Sequence, residues 1–268
     1  MSQSEEIYRH YAAGDEDRRL ESPKGRLEFA RTCHLLSRSL ASAPGRIADI
    51  GGGPGAYAEW LAQQGYEVCL VDPVQKHVDQ AAARLAAHAG CSALTGDARE
   101  LTFADQSMDA VLLMGPLYHL LSPVDRQQAL KEALRVLKPG GILFATAISR
   151  FSYLLDGLWK RHFDDPAFVE SVQTELENGH HFNPPGQSYF TAAFFHRPEE
   201  LQAEARAAGF VQTEVVGIEG PAWLMPNLAE VQARDFAWPL LEILEKIERE
   251  PEMMGISTHL LVTGFRPV

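Results

Sequence analysis

The residues Asp49-Ile50-Gly51-Gly52-Gly53-Pro54-Gly55 constrain this chain more than any others. Four glycines in five positions follow a short apolar run, Arg46–Ile50, and lead into a stretch, Gly55–Gln64, that can form a helix. Glycine enters left-handed backbone without steric cost and lets other atoms approach the main chain closely. The helix that follows presents free N–H groups at its start. A strand, a glycine turn and a helix in that order form a β–α joint. Parallel strands need such crossovers, and crossover helices bury both sheet faces.

The rest of the first half repeats the rhythm. Glu67–Val71 is a β-branched run, and Val74–His88 is alanine-rich and helical. Cys91–Thr95 and Met108–Met114 are further strand candidates. Pro123–Leu137 carries apolar residues at helical spacing (Ala129, Leu130, Ala133, Leu134, Leu137). Lys138-Pro139-Gly140-Gly141 reads as a turn before a buried strand, Ile142–Ile148. Alternating strands and helices predict βαβ units with right-handed crossovers.

After Ser149 the rhythm breaks, resumes with a helix over Pro198–Ala208 and a strand over Phe210–Gly217, breaks again, and closes with a strand over Ser257–Gly264. We read 151–195 and 219–250 as cap insertions over one edge of the sheet. In open α/β sheets ligands lie beyond the carboxyl ends of the strands, so such insertions build pocket walls. Residues 24–40 place Leu27, Ala30, Leu35 and Leu36 near helical spacing, with Tyr8 and Tyr11 on a shorter helix ahead. Residues 1–45 therefore read as an N-terminal helical lid, and 46–268 as the main domain.

Charge and cysteine usage exclude some functions. The chain holds 36 Asp+Glu against 24 Lys+Arg, a formal net charge of -12. Nucleic-acid binding needs a basic face to release counterions, and anionic membranes need one too. Neither partner is expected. The apolar run Ala110–Leu121 is too short to span a bilayer, and the N-terminal residues lack a signal-peptide core. A cytoplasmic protein is expected. Cys33, Cys69 and Cys91 are too scattered for a disulfide framework or zinc site.

The glycine turn satisfies two patterns. Gly51-x-Gly53-x-x-Ala56 fits a dinucleotide fingerprint, in which a pyrophosphate sits on the helix end. Asp49-x-Gly51-x-Gly53-x-Gly55 instead resembles motif I of class I S-adenosylmethionine-dependent methyltransferases. A carboxylate at Asp49 would repel a pyrophosphate but favours the α-ammonium of methionine. Further matches follow in order: Val71-Asp72-Pro73, Gly96-Asp97-Ala98, Leu112 to Leu120 including Met114, and Leu134 to Gly141. Together they span about residues 46–148. The resemblance implies a Rossmann-like, seven-stranded, mostly parallel sheet, with Val211–Gly217 and His259–Phe265 forming its C-terminal β-hairpin strands. It also implies that Asp72 accepts the ribose hydroxyls and Asp97 the adenine amino group. Local alternatives stand beside these roles: Asp49 could orient the turn, Asp72 could cap the next helix, and Asp97 could form an Asx turn.

Several side chains are candidates for the acceptor and the methionine moiety. Tyr118 and His119 follow the fourth strand; His119 could act as base or position the substrate, or serve a structural part. Tyr8 and Tyr11 could close over the sulfonium, or simply pack. Arg31 could meet the methionine carboxylate, or pair with Glu28. The aromatic insertion containing His181, Tyr189, Phe194, Phe195 and His196, with Trp223 beyond it, could form a pocket wall or its own core.

These residues look like bacterial small-molecule methyltransferases of secondary metabolism. That resemblance implies transfer of a methyl group from S-adenosylmethionine to a small aromatic acceptor, an indole among the candidates, leaving S-adenosylhomocysteine. No metal is expected, and a monomer or homodimer is. A nicotinamide-dependent oxidoreductase and a non-catalytic binding protein of the same fold are the alternatives.

Overall fold

In the computed structural model, which describes residues 7–8, 11–14, 16–183, 190–233 and 237–268, the alternation becomes one large sheet. Its strands are β1 (Arg46–Ile50), β2 (Glu67–Asp72), β3 (Ser92–Thr95), β4 (Met108–Leu113), β5 (Leu137–Ile148), β8 (Val211–Gly217) and β9 (His259–Phe265). Their order is β3-β2-β1-β4-β5-β9-β8. Every neighbouring pair from β3 to β5 is parallel, and β9 runs antiparallel to both β5 and β8. Only one hairpin strand is therefore reversed: β8 points the same way as β5.

Period-two alternation explains why the strands are apolar throughout. Ala48, Ile50, Cys69, Val71, Val111, Leu113, Leu143 and Ala145 belong to the core on one face. Ile47, Val68, Leu70, Ala110, Leu112, Ile142 and Phe144 belong to the core on the other. Successive side chains point to opposite faces, and helices cover both. The Lys138–Gly141 turn falls inside β5 rather than before it. Met108 pairs with Leu137 and Ala110 with Ile142, so the turn residues bulge out of the ladder.

The N-terminal helix Pro23–Ser39 starts where Ser22 Oγ accepts from Gly25 N at 3.0 Å, with proline in its first turn. Leu27 on this helix packs with Ala222, Trp223, Leu228 and Leu244 of the segment after β8. The segment after β5 builds its own small core from Tyr153, Phe168, Val172, Ala193 and Phe195, against Ile148. It contains helices Ser152–Lys160 and Pro166–Asn178 and a two-stranded sheet of β6 (His180–His181) and β7 (Ala193–Phe194). Phe168 packs so tightly on the first of these helices that a Cβ at Gly157 would lie 2.0 Å from its ring. No helix among the described residues is long and apolar enough to cross a membrane.

Candidate active site

A cavity of 310 Å³ opens at the carboxyl ends of β1, β2, β3 and β4. The glycine turn forms its floor. Gly51 has φ +72°, and its N–H donates to Val71 O at 2.7 Å. A Cβ at Gly51 would stand 2.5 Å from Pro116 Cδ, so this glycine allows two loops to meet. A Cβ at Gly55 would stand 2.9 Å from Ala81 Cβ, and Gly55 is not part of the cavity wall. Its part is helix packing, which corrects its expected place at the ligand. Gly53 differs: its nearest foreign atom would be Glu16 Cγ at 4.0 Å, and it faces the cavity.

Asp72, at the end of β2, lines the cavity with Pro73. Its Oδ2 accepts from Gly53 N at 3.0 Å. Its Oδ1 accepts from Val74 N at 2.9 Å and faces His77 Nδ1 at 3.2 Å. Asp72 thus ties the glycine turn to the next helix while it faces the ligand space. Asp97 and Ala98 lie at the far end of the cavity, after β3. Asp97 Oδ1 accepts from Arg99 N at 2.8 Å, an Asx turn, and the carboxylate also receives the Arg99 guanidinium at 2.6 Å. Those Arg99 hydrogen bonds hold the Asp97 carboxyl below its usual range.

Asp49 is fully buried, and neither carboxylate oxygen has a partner. It lies under the turn, where a Cβ at Gly52 would come within 2.5 Å of its Oδ2. It neither reaches the cavity wall nor orients the turn by hydrogen bonds. Burial, with Asp72 nearby, pushes its carboxyl up to about 7. A carboxyl raised on folding contributes stability that is lost as pH rises from its ordinary range through the folded value. Asp49→Asn keeps the shape and removes the ionisation. Its melting temperature should match the wild type near pH 4 and exceed it at pH 8, in a thermal melt across that range. Equal gaps at both pH values would refute the assignment.

The roof is the N-terminal segment. Tyr8 and Tyr11 line the cavity, and Tyr11 Oη lies 2.8 Å from His119 Nε2. The Tyr11 ring also meets the edges of His77 and His119, at 6.1 and 5.1 Å. Tyr118, His119 and Met114 reach the cavity from the loop after β4. Burial raises the Tyr11 phenol well above its ordinary value and raises Tyr118 likewise, so both stay protonated. They can donate hydrogen bonds but do not serve as bases near neutrality.

Sequence reading missed Glu16, Arg19 and His77. All three line the cavity. Arg19 stands on a 3-10 turn, Glu16–Glu21, and donates to Glu16 at 2.5 Å and to both Glu28 oxygens at 2.5 and 3.0 Å. The Glu16/Arg19 spacing of three was the only available signal, and exposed helices share it. The roof is tied down by Asp17 to Arg84 at 2.8 Å and by Lys76 Nζ to Gly14 O at 2.7 Å.

Arg31 is not at the cavity, and its expected partner Glu28 is bound by Arg19 instead. Arg31 is completely buried, donates to Ile218 O at 2.9 Å, and pairs with Glu248 at 2.7 Å. The expected aromatic wall is also corrected. His181 is buried, stacked on Phe195 at 5.3 Å and bonded to Glu175 at 3.0 Å. Phe194 lies under the Arg126 guanidinium at 3.8 Å. His196 faces Glu204 at 3.3 Å, and Trp223 donates to Ile256 O at 2.8 Å. None of these five lines the cavity, because each completes the core or ionic contacts of its own segment. Tyr189 lies outside the described residues. Phe190, which packs against the insertion's own core and does not line the cavity, stacks near His119 at 6.4 Å.

Among the described residues, one group has metal-ligating composition: Glu28, Glu219 and His259 bring ligand atoms within 4.8 Å of one another. Arg19 already donates to Glu28, and His259 Nδ1 lies 2.5 Å from Glu219 Oε1.

A family profile described as a methyltransferase domain matches residues 47–141. A demethylmenaquinone methyltransferase from Clavibacter sepedonicus is 30% identical over 181 residues, covering 66% of this chain and 71% of that protein. A probable tRNA methyltransferase 9B from Homo sapiens is 32% identical over 158 residues, covering 52% of this chain but 32% of that protein. Among solved structures, the Haloferax volcanii complex of the Trm112 activator with a putative methyltransferase aligns with TM-score 0.62 at 20% identity, over 100% of this chain and 98% of that one.

Proposed function

This chain belongs to the class I S-adenosylmethionine-dependent methyltransferases, and from that membership we propose that it methylates a small aromatic molecule, neutral or cationic, at carbon, nitrogen or oxygen. When bound, the donor supplies a methyl group already activated on a sulfonium. The chain's own residues fit that donor. The bare face of Gly53 leaves room beside the glycine turn, and Asp72 lines the same cavity, which supports the ribose role that the resemblance implies. Glu16 approaches Gly53 and Arg19 lines the same cavity, and a carboxylate and a guanidinium suit the two charges of an amino-acid head.

The observation that carries the acceptor reading is the contact between Tyr11 of the roof and His119 of the loop after β4. It ties the roof to the loop after β4 beside the ligand space, and a roof held there would keep water from a reacting methyl group. Tyr57, Tyr118 and Leu20 complete an aromatic and aliphatic surround. His119 is the group we assign to hold or remove an acceptor proton, and Tyr11 orients it. A roofed cavity and a charge of -12 favour a small metabolite in the cytoplasm over a nucleic acid. The bacterial relative named for demethylmenaquinone supports a small acceptor, and the human one named for tRNA supplies the competing outcome.

The test is a mass-spectrometric screen with S-adenosylmethionine against phenols, quinols, indoles and amines, with bulk tRNA as comparison. One added methyl on a small aromatic compound is expected. His119→Ala and Tyr11→Phe should then lower turnover by about 100-fold and about 10-fold, with S-adenosylhomocysteine affinity within about threefold of wild type. Methylation of tRNA alone would overturn the acceptor class.

A further inference from the structure

Arg126 stands behind the cavity without lining it. It lies on the helix Pro123–Val136 and is 3% exposed. Its NH1 donates to Leu120 O and to Leu121 O, both at 2.9 Å. Those two carbonyls directly follow His119, the last residue of a one-turn helix, Pro116–His119. On its other edge, Nε donates to Glu204 at 2.9 Å and NH2 lies 2.8 Å from the same carboxylate. The Phe194 ring covers the face of the guanidinium at 3.8 Å.

A single helical turn is a weak device for aiming a side chain. Leu120 N donates to Pro116 O at 3.0 Å to close it, but helices this short do not hold themselves in water. The chain after the turn has to be fixed from outside. A planar guanidinium that grips two successive carbonyls and a carboxylate, with a ring on its face, has little freedom to rotate. Arg126 is itself held from two directions. Glu204 comes from the helix Pro198–Ala207, and His196 Nε2 lies 3.3 Å from its Oε2. Phe194 comes from β7 of the insertion, and Tyr118, next to His119, packs on that insertion's core. Stability alone gives little reason for this arrangement, since apolar side chains of similar volume usually serve as well as a buried ion pair. An apolar side chain would leave the carbonyls after His119 unheld.

We propose that Arg126 is the positioning residue for His119, with Glu204 and Phe194 setting Arg126. The insertion after β5 then aims the group that meets the acceptor, besides packing beside the site. This rests on the role given to His119 above.

Long-range proton–nitrogen spectra of the full chain, labelled with nitrogen-15 histidine, test it. His119→Ala identifies the His119 ring signals by their loss. Tyr11→Phe removes the hydroxyl 2.8 Å from Nε2 and shows how far those signals move when the contact is broken. Arg126→Lys keeps a positive charge beside Glu204 but loses the planar fork and the stacked face. It should displace the His119 signals by most of that distance, with S-adenosylhomocysteine affinity within about threefold of wild type. Phe194→Leu leaves the donors and acceptors around Arg126 in place and should move the signals the same way by less. His34, bonded to Glu245 on another part of the chain, should stay unmoved in both variants. Unmoved His119 signals in the two variants overturn the proposal. So does a displacement that His34 shares, which would mean general loosening. If Arg126→Lys fails to fold, Phe194→Leu decides alone by the same criteria. If Tyr11→Phe leaves the His119 signals in place, the roof contact behind the functional reading falls, and this proposal with it.

Discussion

Asp72→Ala is expected to abolish measurable S-adenosylhomocysteine binding in calorimetry, a loss of at least about 100-fold. Two effects combine. The ribose loses a charged acceptor, worth about 1.5–3 kcal/mol. The Gly53 N–H, Val74 N–H and His77 ring lose their shared partner, so the turn and the first turn of the next helix are no longer held in register. The second effect should also lower the melting temperature of the ligand-free protein. Asp72→Asn separates the two. Its amide keeps one accepting oxygen and the side-chain volume, so it should melt closer to the wild type yet bind weakly, since its NH₂ faces groups that themselves donate. Unchanged affinity in both variants would remove the basis for placing the donor in this cavity.

Arg31→Met should be strongly destabilising, by about 3 kcal/mol in chemical denaturation, because it removes the fully buried partner of Glu248 and the donor to Ile218 O. Arg31 and Glu248 are both inaccessible and lie 217 residues apart in the chain. Arg38 and Arg249 also contact Glu248, at 2.8 Å for Arg38, but both are partly exposed and cannot fully replace a buried guanidinium. Arg31→Met combined with Glu248→Met should recover much of the loss, since two apolar side chains leave no unpaired charge. The pair joins the N-terminal helix to the segment between β8 and β9, so the effect is on stability, not on donor contact. S-adenosylhomocysteine affinity of the folded Arg31→Met protein should stay within about threefold of wild type. A large loss of affinity with unchanged denaturation would restore Arg31 to the donor site.

Both predictions turn on what a sequence can and cannot specify. Asp72 was legible because its position is local: it ends a β-branched run, precedes a proline, and follows the glycine turn at a fixed interval. The same holds for Gly53, Tyr118 and His119, each fixed to a strand end by neighbours in the chain. Asp49 was legible as a residue of interest but not as a buried, unpartnered carboxyl, since burial depends on Leu70 and Gly52 packing around it. Arg31 and Arg19 illustrate the limit. Both are arginines on N-terminal helical segments near an acidic residue three or more positions away. Nothing in the local pattern distinguishes the one that faces the cavity from the one that locks the core.

The aromatic insertion shows the same limit from the other side. Its density of His and Phe suits a pocket wall and a small core equally well. Among the described residues, tertiary contacts choose the core for His181, Phe194 and Phe195, and bring Phe190 near His119. His77 was silent in the sequence because a histidine on the first turn of a helix has no preferred meaning. It acquires one only when the fold brings its Nδ1 within 3.2 Å of Asp72 and its ring against Tyr11.

The sequence by itself determined the β–α joints, the two-faced burial of the strands, and the cavity's location at their carboxyl ends. Backbone conformation follows from neighbours a few residues apart, so glycine turns and alternating apolar runs suffice to set it. Only the tertiary structure decided which charged and aromatic side chains meet across that cavity. Those pairings join residues far apart in sequence, and packing and desolvation select among partners that local pattern leaves equivalent.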